Sequence, residues 1–414
     1  MHKNSLKWIF LFGLLLTILL VTACGKGKVN IIPGPTPGEP SVSPVPTGQP
    51  ASVTAPSITP TPSTTPTPAD ATAPAIAGAK SNIKVKGLYL TGWTAGSKEK
   101  MDSFIKLADE TDINAFVIDI KNDDGIVSYP SGVLEVEKNE TYEKKYDPKA
   151  LIKTLHDKDI YVIGRVVCFR DPAFSKKNPD RAVKHKDGGL WKEEKKDAEI
   201  TWLNPYDKRN WTYVLDIAKE AASMGFDEIQ FDYIRFPYGD RSKMDFGAEG
   251  FVKHEVINEF LARARKEMPD MTLSADIFGI VCVSPEDTED IGQYLELIGK
   301  DMDYISPMTY PALYARGQIV NGAKFPNPDL DPYNVVYQTL LMAKKRISGA
   351  DDYRAGVRPF IQAFSANWLA KGSWQAYGAK QYKQQIQAVT DAGYEQWIFW
   401  DANNRYDFSA FTKD

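Results

Sequence analysis

Residues 226–240 read FDEIQFDYIRFPYGD, an apolar β-rich run into which Glu228, Gln230, Asp232 and Arg235 are built. Side chains two apart on a strand share a face. Ile229, Phe231 and Tyr233 therefore form one row, and Glu228, Gln230 and Asp232 form the other. A packing strand does not need a polar row. A carboxylate inside a core is costly unless it is paired, hydrated or at an open end. Asp232, near the strand end before Pro237, is the member best placed to reach a ligand. Glu228 lies deeper, where a structural salt bridge is expected. Arg235 follows where the strand turns into its loop, either holding Asp232 ionised or binding substrate.

The same kind of run recurs along the chain. Strands are expected at 85–92, 114–121, 161–169, 226–236, 271–279, 303–311, 357–364 and 394–402. Between them lie helical patterns at 98–109, 148–158, 210–224, 251–268, 286–300, 333–348 and 379–391. Trp211, Leu215, Ala218 and Ala222 fall near one face of a helix stopped by Gly225. Val256, Phe260, Ala264 and Met268 do the same before Pro269. The helix at 286–300 would start at Thr288. Repeated strand–helix units define an α/β chain, best read as a (β/α)8 TIM barrel. A doubly wound sheet is the runner-up, but LTGWTAGS after the first strand lacks GxGxxG spacing, which argues against a nucleotide cofactor.

The chain has 414 residues and a formal net charge of -4, with acids and bases mixed throughout. It offers no basic stripe for a nucleic acid. Four histidines, His2, His156, His185 and His254, make a histidine-based metal cluster an unattractive reading, and neither metal nor cofactor is expected. Cys168 and Cys282 fall in or near apolar strand runs and read as buried free thiols.

The first residues bear on location. Lys3 and Lys7 precede an apolar run from Trp8 to Val21, as in a secretory signal. Val21-Thr22-Ala23-Cys24 resembles the lipobox of bacterial lipoproteins, which implies a lipidated Cys24. An ordinary signal peptide and an uncleaved anchor are the alternatives. Residues 24–80 are dominated by Pro, Thr, Ser and Ala and read as a disordered spacer. The expected organisation is a signal peptide at 1–23, a lipidated N-terminus and linker at 24–80, and a barrel at 81–414. Such a chain is extracytoplasmic and touches a membrane through its lipid alone.

In a TIM barrel the site lies at the C-terminal strand ends. Those ends collect Asp119, Lys121, Arg165, Asp232, Arg235, Asp276, Tyr310, Gln362 and Asp401. Asp119 shares parity with Val117 and Lys121, suggesting an Asp119–Lys121 polar cluster. Asp123 and Asp124 precede Gly125 and read as turn residues. Ser274 and Asp276 point inward together. Neighbouring strands lie about 5 Å apart, so Asp232 and Asp276 can flank one glycosidic bond as an acid and a nucleophile or base. Trp397, Phe399 and Asp401 are expected to face inward, where an aromatic beside a carboxylate suits a sugar ring. Long loops at 122–147, 170–208 and 311–332 carry Tyr129, Trp191, Trp202, Tyr206 and Tyr314, candidate walls of a polymer groove.

The motifs VKGLYLTGW, NAFVIDIKNDDG, GRVVCFRDP, FDEIQFDYIRFP, SADIFG and SPMTYP, in that order, resemble a bacterial family of glycosyl hydrolase domains formerly known as a domain of unknown function. The resemblance runs from about Val85 to the C-terminus. It implies a TIM barrel related to amylase-like glycosidases, with Asp232 at the position of their strand-four aspartate. Their strand-five glutamate has no counterpart; SADIFG offers Asp276. The combined expectation is a hydrolase of envelope or extracellular polysaccharide, with Asp232 as nucleophile or electrostatic stabiliser and Asp276 as acid/base partner. Asp119, Lys121, Arg165, Arg235, Tyr310, Gln362, Trp397 and Asp401 would contact substrate or organise the centre. A non-catalytic carbohydrate-binding or envelope-assembly barrel is the alternative.

Overall fold

The computed structural model describes residues 83–195 and 198–413. The signal, lipobox and spacer readings lie outside them. The strands are β1 (Lys86–Leu90), β2 (Ala115–Lys121), β3 (Tyr161–Val167), β4 (Glu228–Asp232), β5 (Thr272–Phe278), β6 (Tyr304–Met308), β7 and β8 (Trp397–Trp400). Strand β7 comes as two short pieces, Gly356–Val357 and Phe360–Gln362, interrupted at Arg358 and Pro359. Each strand pairs in parallel with the next, β8 pairs with β1, and β5 with β6 completes the ring. The sheet is a closed eight-stranded α/β barrel, as the repeated strand–helix pattern requires.

Helices α1 (Lys98–Glu110), α2 (Pro148–His156), α3 (Lys208–Met224), α4 (Lys253–Glu267), α5 (Leu295–Ile298), α6 (Pro332–Ile347) and α7 (Ala379–Asp391) cross between strands. Their starts follow from local chemistry. Asp147 accepts a hydrogen bond from the Ala150 amide ahead of Pro148, and Asp207 accepts one from the Arg209 amide. Helix α3 buries Trp211, Val214, Leu215, Ala218 and Ala221, then stops at Gly225, whose φ is 109°.

The expected helix at 286–300 is mostly absent. Only the single turn α5 forms, because Glu286, Asp290 and Gly292 all take positive φ. The Asp287 carboxylate closes the loop by accepting from the amides of Ile291 and Gly292. After β8 the chain turns through a short 3₁₀ segment, and Phe411 packs on Trp397 and Phe399.

Two apolar layers follow from strand alternation. The larger lies between strands and helices. The smaller fills the barrel, with Val85, Ala115, Val117, Ile163, Phe360 and Ile398. At its N-terminal end Glu228 and Arg358 form an ion pair with both side chains fully buried, and Ser274 donates to Glu228. Glu228 thus has the deep structural role its position suggested.

Candidate active site

Strand β4 delivers Asp232 to the C-terminal mouth, 6% exposed. Its Oδ2 accepts from Arg165 Nε at 2.8 Å and lies 2.6 Å from Arg165 Nη2. Its Oδ1 accepts from the following amide, that of Tyr233, at 2.6 Å. Tyr233 has φ 50°, a backbone state uncommon for a bulky residue. Two groups hold that conformation: the Tyr233 hydroxyl accepts from Arg170 Nη1 at 2.9 Å and donates to Asp123 at 3.4 Å. Backbone strain of this kind persists only where surroundings over-determine it, and it recurs at ligand sites.

Arg165 is the hub. Besides Asp232 it pairs with Asp119 Oδ1 and with Asp123 Oδ1, each at 2.7 Å. Tyr89 donates to Asp119 at 2.7 Å, and Arg170 pairs with Asp123 at 2.8 Å. Burial pushes the Asp119 carboxyl up, with Arg165 acting against that. Asp123 therefore does more than turn a loop. The signal available in the sequence was a second acid, after Asp119, at the β2 end with Arg165 and Arg170 on the neighbouring strand and loop.

Asp276 is 1% exposed on β5, and its Oδ1 has no hydrogen-bond partner among the described residues. In register Phe231 faces Ala275, so Asp232 and Asp276 come next on neighbouring strands. Burial first, and the Asp232 charge second, drive the Asp276 carboxyl well above its ordinary range; Arg165 opposes them. Arg165 therefore holds Asp119, Asp123 and Asp232, while the Asp276 carboxyl beside them is shifted toward its protonated form. Such a division of roles between two acids is what acid/base chemistry needs.

Aromatic rings fill the other side of the mouth. Tyr89 and Tyr310 each stack with Trp400, at 6.1 and 5.6 Å between ring centres. Phe364 meets Trp400 edge-on at 5.5 Å and stacks with Trp368 at 5.5 Å. Tyr310 feels both Asp276 and Asp232, and burial keeps its hydroxyl protonated.

Several expected site residues sit elsewhere. Trp397 faces outward: it stacks with Phe411 and packs beside Phe399, whereas Ile398 and Trp400 face the barrel. All four residues of Trp397–Trp400 are apolar or aromatic, so parity there has no polar marker. Asp401 caps the following turn by accepting from the Asn403 and Arg405 amides. Lys121 leaves the site because the β2–β3 register shifts between Asp119 and Lys121. Its ammonium instead pairs with Asp171 at 2.9 Å, bonds the Val167 carbonyl and faces the Tyr213 ring. Gln362 joins loops, accepting from the Ala312 amide and donating to Asp329. Arg235 makes no ion pair with Asp232 among the described residues; Arg165 fills that role. Of the loop aromatics, Tyr129, Trp191 and Trp202 are buried as part of the large core and Tyr314 in a small cluster with Val320, Phe325 and Val335. Cys168 and Cys282 are buried and unpaired.

A closed parallel barrel with Asp119, Asp123, Asp232 and Asp276 and an aromatic arc at its mouth is a glycoside-hydrolase-like TIM barrel. The chain belongs to the family described as "Putative glycosyl hydrolase domain", which matches residues 87–406. No curated protein matches it. A hypothetical protein from Ruminiclostridium thermocellum is 51% identical, over 46% of this chain and 96% of that one, with a TM-score of 0.43. The PgaB (BpsB) glycoside hydrolase domain from Bordetella bronchiseptica is 13% identical, with 80% of this chain and 96% of that one covered and a TM-score of 0.54. The second likeness is one of fold.

Proposed function

We propose that the protein hydrolyses O-glycosidic bonds of an envelope or extracellular polysaccharide at the Asp232–Asp276 end of the barrel. The observation that carries this reading is the buried, partnerless Asp276 carboxyl next in register to an Asp232 held by Arg165. Asp276 gives its proton to the departing glycosidic oxygen as the C–O bond breaks. Asp232 attacks the anomeric carbon or takes a proton from the water that does. In the first case water then displaces Asp232 from the anomeric carbon, its hydroxyl staying on the new reducing sugar and its one released proton restoring Asp276. In the second, the hydroxyl stays on the sugar, Asp232 passes the proton it took to solvent and Asp276 regains one from solvent. Arg165, Asp119, Asp123 and Tyr233 position Asp232. Tyr310 and the Trp400–Phe364–Trp368 arc offer apolar faces for sugar rings.

Asp276→Ala tests the acid role. It should lose turnover of glycans by about 10²–10⁴-fold but retain turnover of aryl glycosides whose phenol leaves without a proton. Equal loss on both substrates would remove Asp276 as the acid. A non-catalytic carbohydrate-binding role is favoured by one observation: both oxygens of Asp232 are engaged, and its side chain is nearly closed off. Saturable glycan binding without product from any substrate would select that reading. Lipidation at Cys24 would place the barrel outside the cytoplasm, tethered by the 24–80 spacer.

A further inference from the structure

Five arginines are buried among the described residues: Arg165, Arg170, Arg181, Arg235 and Arg358. Four have a carboxylate within ion-pair distance, from Asp119, Asp123 and Asp232 for Arg165, Asp123 for Arg170, Glu135 for Arg181 and Glu228 for Arg358. Arg235 has none. Its guanidinium is enclosed by rings instead, 4.6 Å from the centres of Trp202 and Phe278 and 5.2 Å from Tyr233. Its hydrogen bond runs from Nη1 to the Phe236 carbonyl at 3.0 Å, and Nε has no partner. Glu193 is the strongest nearby negative influence, but it accepts from Trp202 Nε1 and makes no ion pair with Arg235.

A buried cation without a counter-ion is expensive, and an aromatic cage offsets only part of that. The location of this uncompensated cation is informative. Arg235 follows Asp232 by three residues, and Phe278 follows Asp276 by two, so the cage borders the two carboxyl groups. Tyr233 and Phe278 are only half-buried, leaving that side of the cage nearest to solvent. Asp276 Oδ1 and, one strand position deeper on the adjoining strand, Gln230 Oε1 are also buried without a hydrogen-bond partner among the described residues. Nε and Nη2 make no hydrogen bond among the described residues, and that edge of a guanidinium is a planar fork that matches an oxyanion bidentately.

We infer that Arg235 recognises an oxyanion substituent, carboxylate or sulfate/phosphate ester, on the glycan bound at the barrel mouth. The inference rests on reading the mouth as a glycan site and narrows the substrate to acidic polysaccharides. The cage excludes water and so strengthens the ion pair, while a neutral sugar would leave the guanidinium uncompensated.

The test uses the full-length chain in detergent, labelled with ¹⁵N-arginine, and follows arginine Nε–H signals. Arg235 is assigned by the signal that Arg235→Lys removes. Glucuronate, its neutral methyl ester and inorganic sulfate are titrated separately. The expected result is a saturable shift of the Arg235 signal by glucuronate and none by the ester. Arg235→Lys should weaken glucuronate binding at least tenfold, read by tryptophan fluorescence. A response to sulfate alone would assign the substituent as a tetrahedral ester. No response to either anion, or an equal response to the neutral ester, would overturn the inference. If Arg235→Lys does not fold, Arg235→Gln supplies both the assignment and the binding comparison. Anion binding without glycan turnover would leave this inference standing and remove the hydrolase reading. Turnover of neutral glycans with no anion response would do the reverse.

Discussion

Burial, and then the charge of the neighbouring Asp232, favour the protonated form of Asp276. The sign of its linkage follows. The folded chain holds a proton that the unfolded chain releases once pH exceeds the ordinary carboxylate range. The stability contribution is fully present below that range and declines as pH rises through the elevated folded pKa. Asp276→Asn removes the decline, so its melting temperature should gain on the wild type from acidic to neutral pH. Parallel melting curves that do not diverge would show Asp276 ionising like a surface acid. The alkaline limb of activity should lie above the usual carboxylate range. At this scale the polar row Glu228, Gln230 and Asp232 and the inward Asp276 were legible, since a carboxylate on an apolar strand marks its own face. Asp123, Tyr89 and Trp400 were not. Asp123 looked like a turn residue, and Trp400 stood in a run without a polar residue to set parity.

At the scale of the element, irregularities decided what alternation could not. The β2 register shift turns Lys121 from the barrel toward α3, where Asp171 receives it. Gly125, φ 84°, lets the next loop cross Asp171 at a distance no Cβ would permit. Lys121→Met should therefore destabilise the fold by about 3–5 kcal/mol, by leaving Asp171 buried and unpaired, while turnover per folded molecule stays unchanged. Urea unfolding beside single-substrate kinetics would check both. Glu228→Gln, which strips Arg358 of its partner at the far end, should cost a similar amount, about 3–5 kcal/mol. A loss of activity in either variant without loss of stability would place these groups in the site. The failed helix at 286–300 has the same lesson. Its apolar spacing is helical, but Asp287 closes a tight loop on residues with positive φ.

The whole barrel was readable because strands and helices alternate with distinct periods, and few folds satisfy that order. The arrangement of its mouth was less so, because loop aromatics such as Trp202 serve equally as core and as binding surface. Beyond the barrel, Cys24→Ser should move the protein from the membrane fraction to the soluble one; unchanged partition would remove the lipid anchor. The central claim is tested most directly by incubating wild type and Asp232→Asn with cell-wall and exopolysaccharide fragments in ¹⁸O-labelled water and weighing the products. Arg165 keeps Asp119 and Asp123 in the variant, so its fold should persist. The wild type should give shorter glycans carrying one labelled oxygen, and Asp232→Asn none. Labelled products from the variant at the wild-type rate, or none from the wild type on any fragment, would contradict it.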